Sequence, residues 1–213
     1  FQVPVIVLTD QYLLDSITTV ATKDLVRIPW VNHVVKTSRE YQRYVITKNG
    51  VSPRGIPGYG TGIVGVDSDE HDTEAHITES HEVRREQHEK RLRKLDGLIE
   101  HSIPPIVKGN SKKAKTVVVT WGSNLWPVEE ALDLLNDPAM MQLHFSQVYP
   151  LSPVGKKLLE KKQLVVVENN ATGQFAHLLE REYGVRVEKK VLQYDGNPFA
   201  VEDLMNRLRK IRL

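Results

Sequence analysis

The chain contains no cysteine, and this absence excludes two kinds of structure. Without a single cysteine among its 213 residues, it can form no disulfide framework and supplies no thiolates for an ordinary iron–sulfur cluster. No run approaches the roughly eighteen consecutive apolar residues of a transmembrane helix. No cleavable signal sequence is recognisable, so we expect a cytoplasmic protein. The net charge is only +2, which gives no electrostatic basis for binding nucleic acid.

What is present is the composition of an ordinary globular protein. With 40% apolar and 26% charged residues, the chain suits one large domain or two small ones. It begins at Phe1 rather than at methionine, directly in a strand-like run. We interpret this start as that of a fragment or a processed product.

The first half of the chain predicts little regular structure. Val3–Leu8 is an almost unbroken apolar run, typical of a strand buried on both faces, and Asp10 is expected to cap a helix that follows. From Leu25 to His81, prolines and glycines break any periodicity, so this segment is largely loop. Glu79–His101 is predicted to be a charged helix. Its apolar stripe comprises Val83, His88, Leu92, Leu95 and Ile99.

The second half alternates between strands and helices after a segment, 102–115, with the composition of a linker. This alternation predicts a three-layer α/β domain with a mainly parallel sheet. The predicted strands are Thr116–Thr120, Leu143–Val148, Leu164–Val167 and Val185–Val191. The predicted helices are Val128–Asn136, Val154–Lys162, Gln174–Tyr183 and Ala200–Ile211.

A glycine-rich segment suggests a cofactor site but lacks the necessary context. Gly60, Gly62 and Gly65 have the spacing of the dinucleotide fingerprint, which requires a strand before it and a helix after it. Here prolines precede the glycines and an acidic run follows, so a connection with tight turns is favoured. The acids and histidines between Asp67 and His81 offer metal ligands, but they match no established metal-site spacing. We favour a polar active-site or interface loop over a metal site.

Three turns follow predicted strands and lie where ligands usually bind in α/β proteins. They are Thr120–Asn124 (TWGSN), Val148–Pro153 (VYPLSP) and Val167–Gln174 (VENNATGQ). Ser152 and Thr172 are predicted N-caps. The turns either merely cap helices or jointly line a ligand or subunit cleft, in which exposed helix amides would favour an anionic or polar partner.

Several phrases, taken together and in order, are similar to one protein family. They are PVIVLTDQYLLDS, RGIPGYGTGIVGVDSDEHDTEAHITE, RLRKLDGLIE, TVVVTWGSNLWPVEEAL, VVVENNATGQFAHLL and VLQYDGNPFAVEDL. The set resembles the C-terminal portion of the alpha subunit of 2-oxoacid:ferredoxin oxidoreductases, closest to the 2-oxoglutarate type. The blocks His71–Glu79 and Glu168–Gln174 are the most specific parts of this resemblance.

The resemblance implies a fold and an activity. Residues 1–110 would be the end of a thiamine pyrimidine-type domain with a long loop, a helix and a linker, and residues 111–213 a transketolase C-terminal-like domain. The complete complex would oxidatively decarboxylate a 2-oxoacid, with 2-oxoglutarate as the expected substrate, to an acyl-CoA and reduce ferredoxin. A beta subunit would carry thiamine diphosphate, with Mg, and an iron–sulfur cluster. A gamma subunit is a further possible partner. This chain alone is expected to bind no cofactor or metal and to be inactive.

Catalytic residues are expected upstream of Phe1, and the resemblance leaves two sets of candidates in this chain. Tyr149–Pro153 imitates a substrate-side motif of the family that belongs early in the thiamine domain, so no role is carried over to Ser152. The candidate active-site or interface loop comprises Arg54, Gly60, Thr61, Gly62, His71, Asp72, His76 and Thr78. The candidate subunit or ligand edge comprises Gly122, Ser123, Asn124, Glu168, Asn170, Thr172, Gly173 and Gln174.

Two other interpretations stay open from the sequence. The second half also suits the transketolase-like region of another thiamine enzyme, such as a 2-oxoacid dehydrogenase beta subunit. An unrelated ligand-binding or metal-binding α/β module is the third hypothesis.

Overall fold

The computed structural model describes residues 1–25 and 33–211. The chain divides into two compact units, one formed by Phe1–Val5 with Thr18–Glu100 and the other by Ile6–Ile17 with His101–Leu213. Within the described ranges, no helix combines the length and apolar character that a membrane crossing demands.

The second unit is built on a five-stranded sheet in the order β1-β3-β2-β4-β5. All neighbouring strands are parallel except β1, which runs antiparallel to β3. The predicted mainly parallel sheet is therefore confirmed. The strands are β1 Ile106–Lys108, β2 Thr116–Trp121, β3 Met140–Phe145, β4 Gln163–Glu168 and β5 Lys189–Leu192.

Helices cover both faces of this sheet, which makes the three-layer arrangement. The central strands β2 and β4 are valine-rich and almost fully buried, as expected of parallel strands with both faces covered. One hydrophobic cluster joins alternate strand residues to the helices α4 and α5, and the other joins the intervening residues to α3 and α6. The helices are α3 Leu125–Leu135, α4 Pro153–Leu159, α5 Gln174–Tyr183 and α6 Val201–Arg209.

The strand order creates a switch point between β2 and β4. From β2 the chain passes through α3 to β3 on one side, whereas from β4 it passes through α5 to β5 on the other side. Helices α3 and α5 pack on opposite faces of the sheet. Such a reversal opens a crevice at the carboxyl ends of the two strands, where α/β proteins commonly bind ligands.

The first unit consists mainly of extended loop and one long helix, as the sequence predicted. Isolated β-bridges connect distant segments of the loop, for example Val34 with Arg54 and Thr37 with Gly60. The helix α2 spans His81–Glu100. Of the predicted apolar stripe, Val83, Leu95 and Ile99 are half-buried and His88 and Leu92 are exposed, whereas the buried residues of α2 are Gln87 and Lys90.

Lys90 is buried because its side chain serves the loop. Its Nζ donates to the carbonyl of Tyr44 at 2.7 Å, and Gln87 Nε2 donates to the same oxygen at 3.1 Å. Burial, reinforced by neighbouring cations of which Lys94 is the foremost, lowers the pKa of Lys90 to about 8. The buried side chains of α2 thus contact the loop through hydrogen bonds to a carbonyl oxygen.

Two predictions from the sequence are corrected. Val3–Leu8 forms no strand, and the side chains of Val5, Ile6 and Val7 are at least 80% exposed. No strand described in this chain pairs with the segment, so its backbone lacks the neighbours that would make it a strand. The segment 102–115, interpreted as a linker, contains β1, which forms one edge of the sheet.

The helix predicted after Asp10 is short. The helix α1 spans only Gln11–Asp15, with Asp10 as its N-cap accepting from the amide of Leu13 at 2.8 Å. The predicted role of Asp10 as a cap is therefore confirmed.

Candidate functional site

A small hairpin presents the acid and histidine residues of the loop. The amide of Thr78 donates to the carbonyl of Glu70, and that of Asp72 donates to the carbonyl of His76, both at 3.0 Å. The Asp72 side chain closes the turn by accepting from the amides of Glu74 at 2.8 Å and His76 at 3.0 Å. The block is therefore an ordered structure with its turn at the tip.

Tyr44 and Arg91 anchor the hairpin. The Tyr44 ring stacks on His71 with 3.7 Å between ring centroids, and the Tyr44 amide donates to the carbonyl of Thr73 at 3.0 Å. Arg91 donates to both carboxylate oxygens of Glu70, at 3.0 and 2.9 Å. This hydrogen bonding lowers the pKa of Glu70. Neither anchor was identified from the sequence, because both join positions that are distant in the chain.

Asp72 and His76 form an exposed acid–imidazole pair at the tip. His76 Nδ1 lies 3.2 Å from Asp72 Oδ2, and the side chains are 71% and 37% exposed, respectively. The hydrogen bond from the His76 amide is the main cause that lowers the pKa of Asp72. A carboxylate held at Nδ1 favours a proton there, which leaves Nε2 able to accept a proton from a neighbour. The pair has the chemistry of a general base, and the contacts of the His76 ring with the described residues are all made through Nδ1.

The glycines of the loop allow two backbone segments to pack closely. The amide of Thr37 donates to the carbonyl of Tyr59, and that of Thr61 donates to the carbonyl of Thr37. A methyl group added at Gly60 would overlap Thr37, and one added at Gly62 would overlap Ser38. The segment after these glycines contains no helix before α2. The glycines therefore serve a tight connection, as expected, and do not form a dinucleotide loop.

Backbone bonding divides the eight predicted loop residues into two sets. Arg54 has its carbonyl bonded to the amide of Val35, and its side chain is exposed. One set lies along residues 34–38 and comprises Arg54, Gly60, Thr61 and Gly62. The other set belongs to the hairpin and comprises His71, Asp72, His76 and Thr78.

At the sheet, the two predicted turns follow adjacent strands. The strands β2 and β4 are parallel neighbours, so Trp121–Asn124 and Asn169–Gly173 leave the same edge, as predicted. Trp121 Nε1 donates to Glu168 Oε2 at 3.4 Å and links the two turns.

The second turn uses its own side chains to cap α5. Glu168 is fully buried and accepts from the amides of Phe175 at 2.9 Å and Ala176 at 3.0 Å. Asn170 donates to Glu168 at 2.8 Å, and its Oδ1 accepts from three further amides, those of Thr172, Gly173 and Gln174. The expectation that these amides would favour an anionic partner is wrong, because the chain already supplies the acceptors. Thr172 is not the N-cap: that position is Gly173, which has no side chain, and Glu168 and Asn170 accept from the amides instead.

Gly122 and Gly173 both adopt positive φ, at 61° and 71°. Space is open around Gly122, but a methyl group at Gly173 would lie 2.8 Å from Cδ of Lys190. The lysine stem thus covers Gly173, so a larger residue there would disturb the turn itself.

A cleft of about 650 Å³ lies beside the first turn, within the second unit. Ser123 and Asn124 border it from the turn after β2, and Asn169 from the turn after β4. The segment after β5 and the region around α1 complete its walls, which include Gln11, Tyr12, Asp15, Gln193, Tyr194, Asn197 and Phe199. These walls were not predicted from the sequence. The segment after β5 could have been found, since it too follows a parallel strand.

Buried polar side chains support the turn that borders the cleft. Gln142 Nε2 donates to the carbonyl of Leu125 at 2.9 Å and to Thr120 Oγ1 at 3.0 Å. Thr120 Oγ1 lies 2.9 Å from Nδ1 of His144, whose pKa burial lowers to about 4. The imidazole is therefore neutral near pH 7. This network fixes the turn that carries Asn124.

Comparison with known proteins places the chain beside one enzyme family. No family model matches the chain. Over 99% of its length, it is 31% identical to subunit alpha of 2-oxoacid:ferredoxin oxidoreductase 2 from Aeropyrum pernix and 29% identical to the alpha subunit from Saccharolobus solfataricus. The chain is homologous to part of a 2-oxoacid:ferredoxin oxidoreductase alpha subunit. It spans 34% and 35% of these two relatives, about one third of their length.

A solved oxidoreductase of this kind has a similar fold. The 2-oxoglutarate:ferredoxin oxidoreductase from Magnetococcus marinus, solved with 2-oxoglutarate, coenzyme A and succinyl-CoA bound, matches 83% of this chain with a TM-score of 0.75 and 24% identity. The chain covers 32% of that protein. The similarity supports the α/β architecture described above.

The residues of this chain do not fit the cofactors of such oxidoreductases. The chain has no cysteine for an iron–sulfur cluster. Across residues 1–25 and 33–211, no group of three or more His, Asp or Glu side chains is arranged to hold the metal ion that accompanies thiamine diphosphate.

Proposed function

We propose that the chain is part of the alpha subunit of an enzyme complex that oxidatively decarboxylates a 2-oxoacid, transfers the acyl group to coenzyme A and reduces ferredoxin. The observation that carries this proposal is the similarity to curated alpha subunits along 99% of the chain. The bound 2-oxoglutarate and succinyl-CoA of the Magnetococcus marinus enzyme favour 2-oxoglutarate as the substrate. Thiamine diphosphate, Mg and the iron–sulfur cluster would belong to the complete complex, carried chiefly by a beta subunit.

Within that complex, the hairpin 70–78 would contribute the Asp72–His76 pair to a site closed by another polypeptide. Both side chains are exposed, so the pair gains a reaction partner only where a further surface covers it. The anchors at Tyr44 and Arg91 fix the hairpin in place. A fixed, oriented imidazole suits proton transfer better than a mobile one, because less ordering is needed when the reaction occurs.

The exposed segment Val3–Leu8 fits a domain completed outside this chain. Val5, Ile6 and Val7 are 85%, 82% and 80% exposed, and burying each would stabilise a fold by about 2 kcal/mol. We propose that the segment becomes a strand of the thiamine pyrimidine-type domain in the full-length subunit, with residues 111–213 as the transketolase C-terminal-like domain. Residues 1–110 would complete the first of these domains.

Reconstitution tests the proposed function. The full-length polypeptide is produced together with its beta subunit, and ferredoxin reduction is followed with coenzyme A and either 2-oxoglutarate or pyruvate. We expect reduction that requires both coenzyme A and a 2-oxoacid, with a higher kcat/KM for 2-oxoglutarate. The 213-residue chain alone should show none. Activity of the chain alone, or a complex inactive with every 2-oxoacid, would contradict the proposal.

A further inference from the structure

The cleft at the carboxyl edge of the sheet has a lining that selects for ligand charge. Its volume of about 650 Å³ lies within the usual range for small-molecule sites. The charged side chains among its described lining residues are Asp10 and Asp15, and none of these residues is basic. Asp10 is already bonded, since it accepts from the amide of Leu13 and from the Ser123 hydroxyl. An anionic group is therefore disfavoured, whereas an uncharged polar ligand is accepted.

Carboxamides dominate the polar lining. Three of the five already have partners, since Gln11 bonds to Asp15, Gln193 bonds to two carbonyls and Asn197 bonds to Asp195. The side chains of Asn124 and Asn169 form no hydrogen bond with any residue that the structure describes.

Asn124 marks the cleft as a built site. The residue is only 6% exposed, and its carboxamide, which is not one of the fully buried unpaired groups, is accessible from the cleft that it lines. The backbone at Asn124 is held in place, because Gln142 Nε2 donates to the carbonyl of the next residue, Leu125, at 2.9 Å. A polar group that is buried, fixed and unpaired at a switch point is placed to meet a ligand.

Aromatic rings complete the lining. Tyr12 and Tyr194 border the cleft and are 51% and 72% exposed, so the faces of their rings are available for stacking. A carboxamide can pair through two hydrogen bonds with the edge of adenine, and an aromatic side chain stacks on its face. A carboxylate suits the hydroxyls of a ribose, and Asp15, which accepts from Gln11 Nε2 through Oδ1, keeps Oδ2 for this role.

We propose that this cleft binds an uncharged purine nucleoside, either free or as the end of a larger ligand, with the base edge on Asn124 and Asn169 and the base face on Tyr12 or Tyr194. This inference goes beyond the proposed oxidoreductase function. Its test measures binding and not turnover, so the two proposals fail independently.

The probe is adenosine, and binding to the 213-residue chain is measured by titration calorimetry and by saturation-transfer NMR. We expect saturable binding, with AMP bound about tenfold more weakly because its phosphate meets carboxylates. If AMP binds with the same affinity as adenosine, its phosphate reaches solvent. The nucleoside is then the end of a larger ligand, which the proposal includes. AMP bound more tightly than adenosine, glucose bound equally well, or no saturable binding of adenosine would overturn it.

Variants assign the binding to this cleft. Asn124→Asp should weaken adenosine binding about tenfold, because it replaces a donor with a charged acceptor. Asn206→Asp is the matched control, since Asn206 is exposed on α6 away from the cleft lining and should leave binding unchanged. Tyr194→Ala removes an exposed ring and should weaken binding even if Asn124→Asp does not fold. The assignment would be contradicted if both Tyr194→Ala and Asn124→Asp left the affinity for adenosine unchanged. It would also be contradicted if both Tyr194→Ala and Tyr12→Ala did so.

Discussion

Replacement of Glu168 by glutamine should destabilise the sheet domain strongly. The carboxylate is fully buried and accepts hydrogen bonds from the amides of Phe175 and Ala176, from Asn170 Nδ2 and from Trp121 Nε1. Glutamine keeps the shape but removes the charge and turns one acceptor oxygen into a donor. At least one buried amide then faces another donor, and hydrogen bonds to a charged group are worth about 1.5–3 kcal/mol each.

We expect Glu168→Gln to lower the free energy of unfolding by about 3 kcal/mol. For a chain of this length, that loss corresponds to a thermal midpoint lowered by roughly 6–12 °C. The measurement is urea denaturation of the 213-residue chain, followed by tryptophan fluorescence, since Trp121 bonds directly to the carboxylate. Glu160→Gln is the control, because Glu160 is exposed and should change stability by less than about 0.5 kcal/mol. A loss no greater than that of the control would refute the capping role of Glu168.

Two further predictions concern stability. Gly62→Ala should destabilise the first unit by about 2 kcal/mol, because the added methyl overlaps the Ser38 carbonyl. In Gly58→Ala the added methyl meets no atom, so the variant should lose only the roughly 1 kcal/mol that a positive φ costs. If denaturation shows the same loss of unfolding free energy in both variants, the close packing at Gly62 is unimportant. The pKa of His144 is about 4 in the fold and 6.5 ordinarily, so the unfolded chain takes up a proton first as the pH falls. The stability present above pH 6.5 should therefore be lost progressively between pH 6.5 and 4, by up to about 3 kcal/mol. His144→Gln should flatten this dependence, and an unchanged pH profile in the variant would contradict the assignment.

The sheet domain was predictable because its signals are local. Valine-rich strands such as β2 and β4 alternate with amphipathic helices, and α5 was predicted with the bounds that it has. Placing two turns at one edge then required only the parallel order of the strands. The strand β1 was missed, since three residues between prolines and glycines carry no readable period.

The first unit was less predictable, because its stability comes from contacts between distant residues. The buried side chains of α2 are a glutamine and a lysine, which no hydrophobic pattern selects. The position of the hairpin depends on Tyr44 and Arg91, which lie outside it. The acidic and histidine composition identified the hairpin as a candidate, but only the structure showed that Asp72 and His76 form a pair.

The most direct test of the proposed role is the kinetics of hairpin variants in the reconstituted complex. His76→Gln and Asp72→Asn are compared with Glu79→Gln, which alters an exposed carboxylate just after the hairpin. We predict that kcat for 2-oxoacid-dependent ferredoxin reduction falls at least about a hundredfold in the first two variants, as for loss of a group that transfers protons. Their thermal midpoints should stay close to that of the control. Full activity of His76→Gln, or activity and thermal midpoint lost together, would contradict a role of this pair in the chemistry.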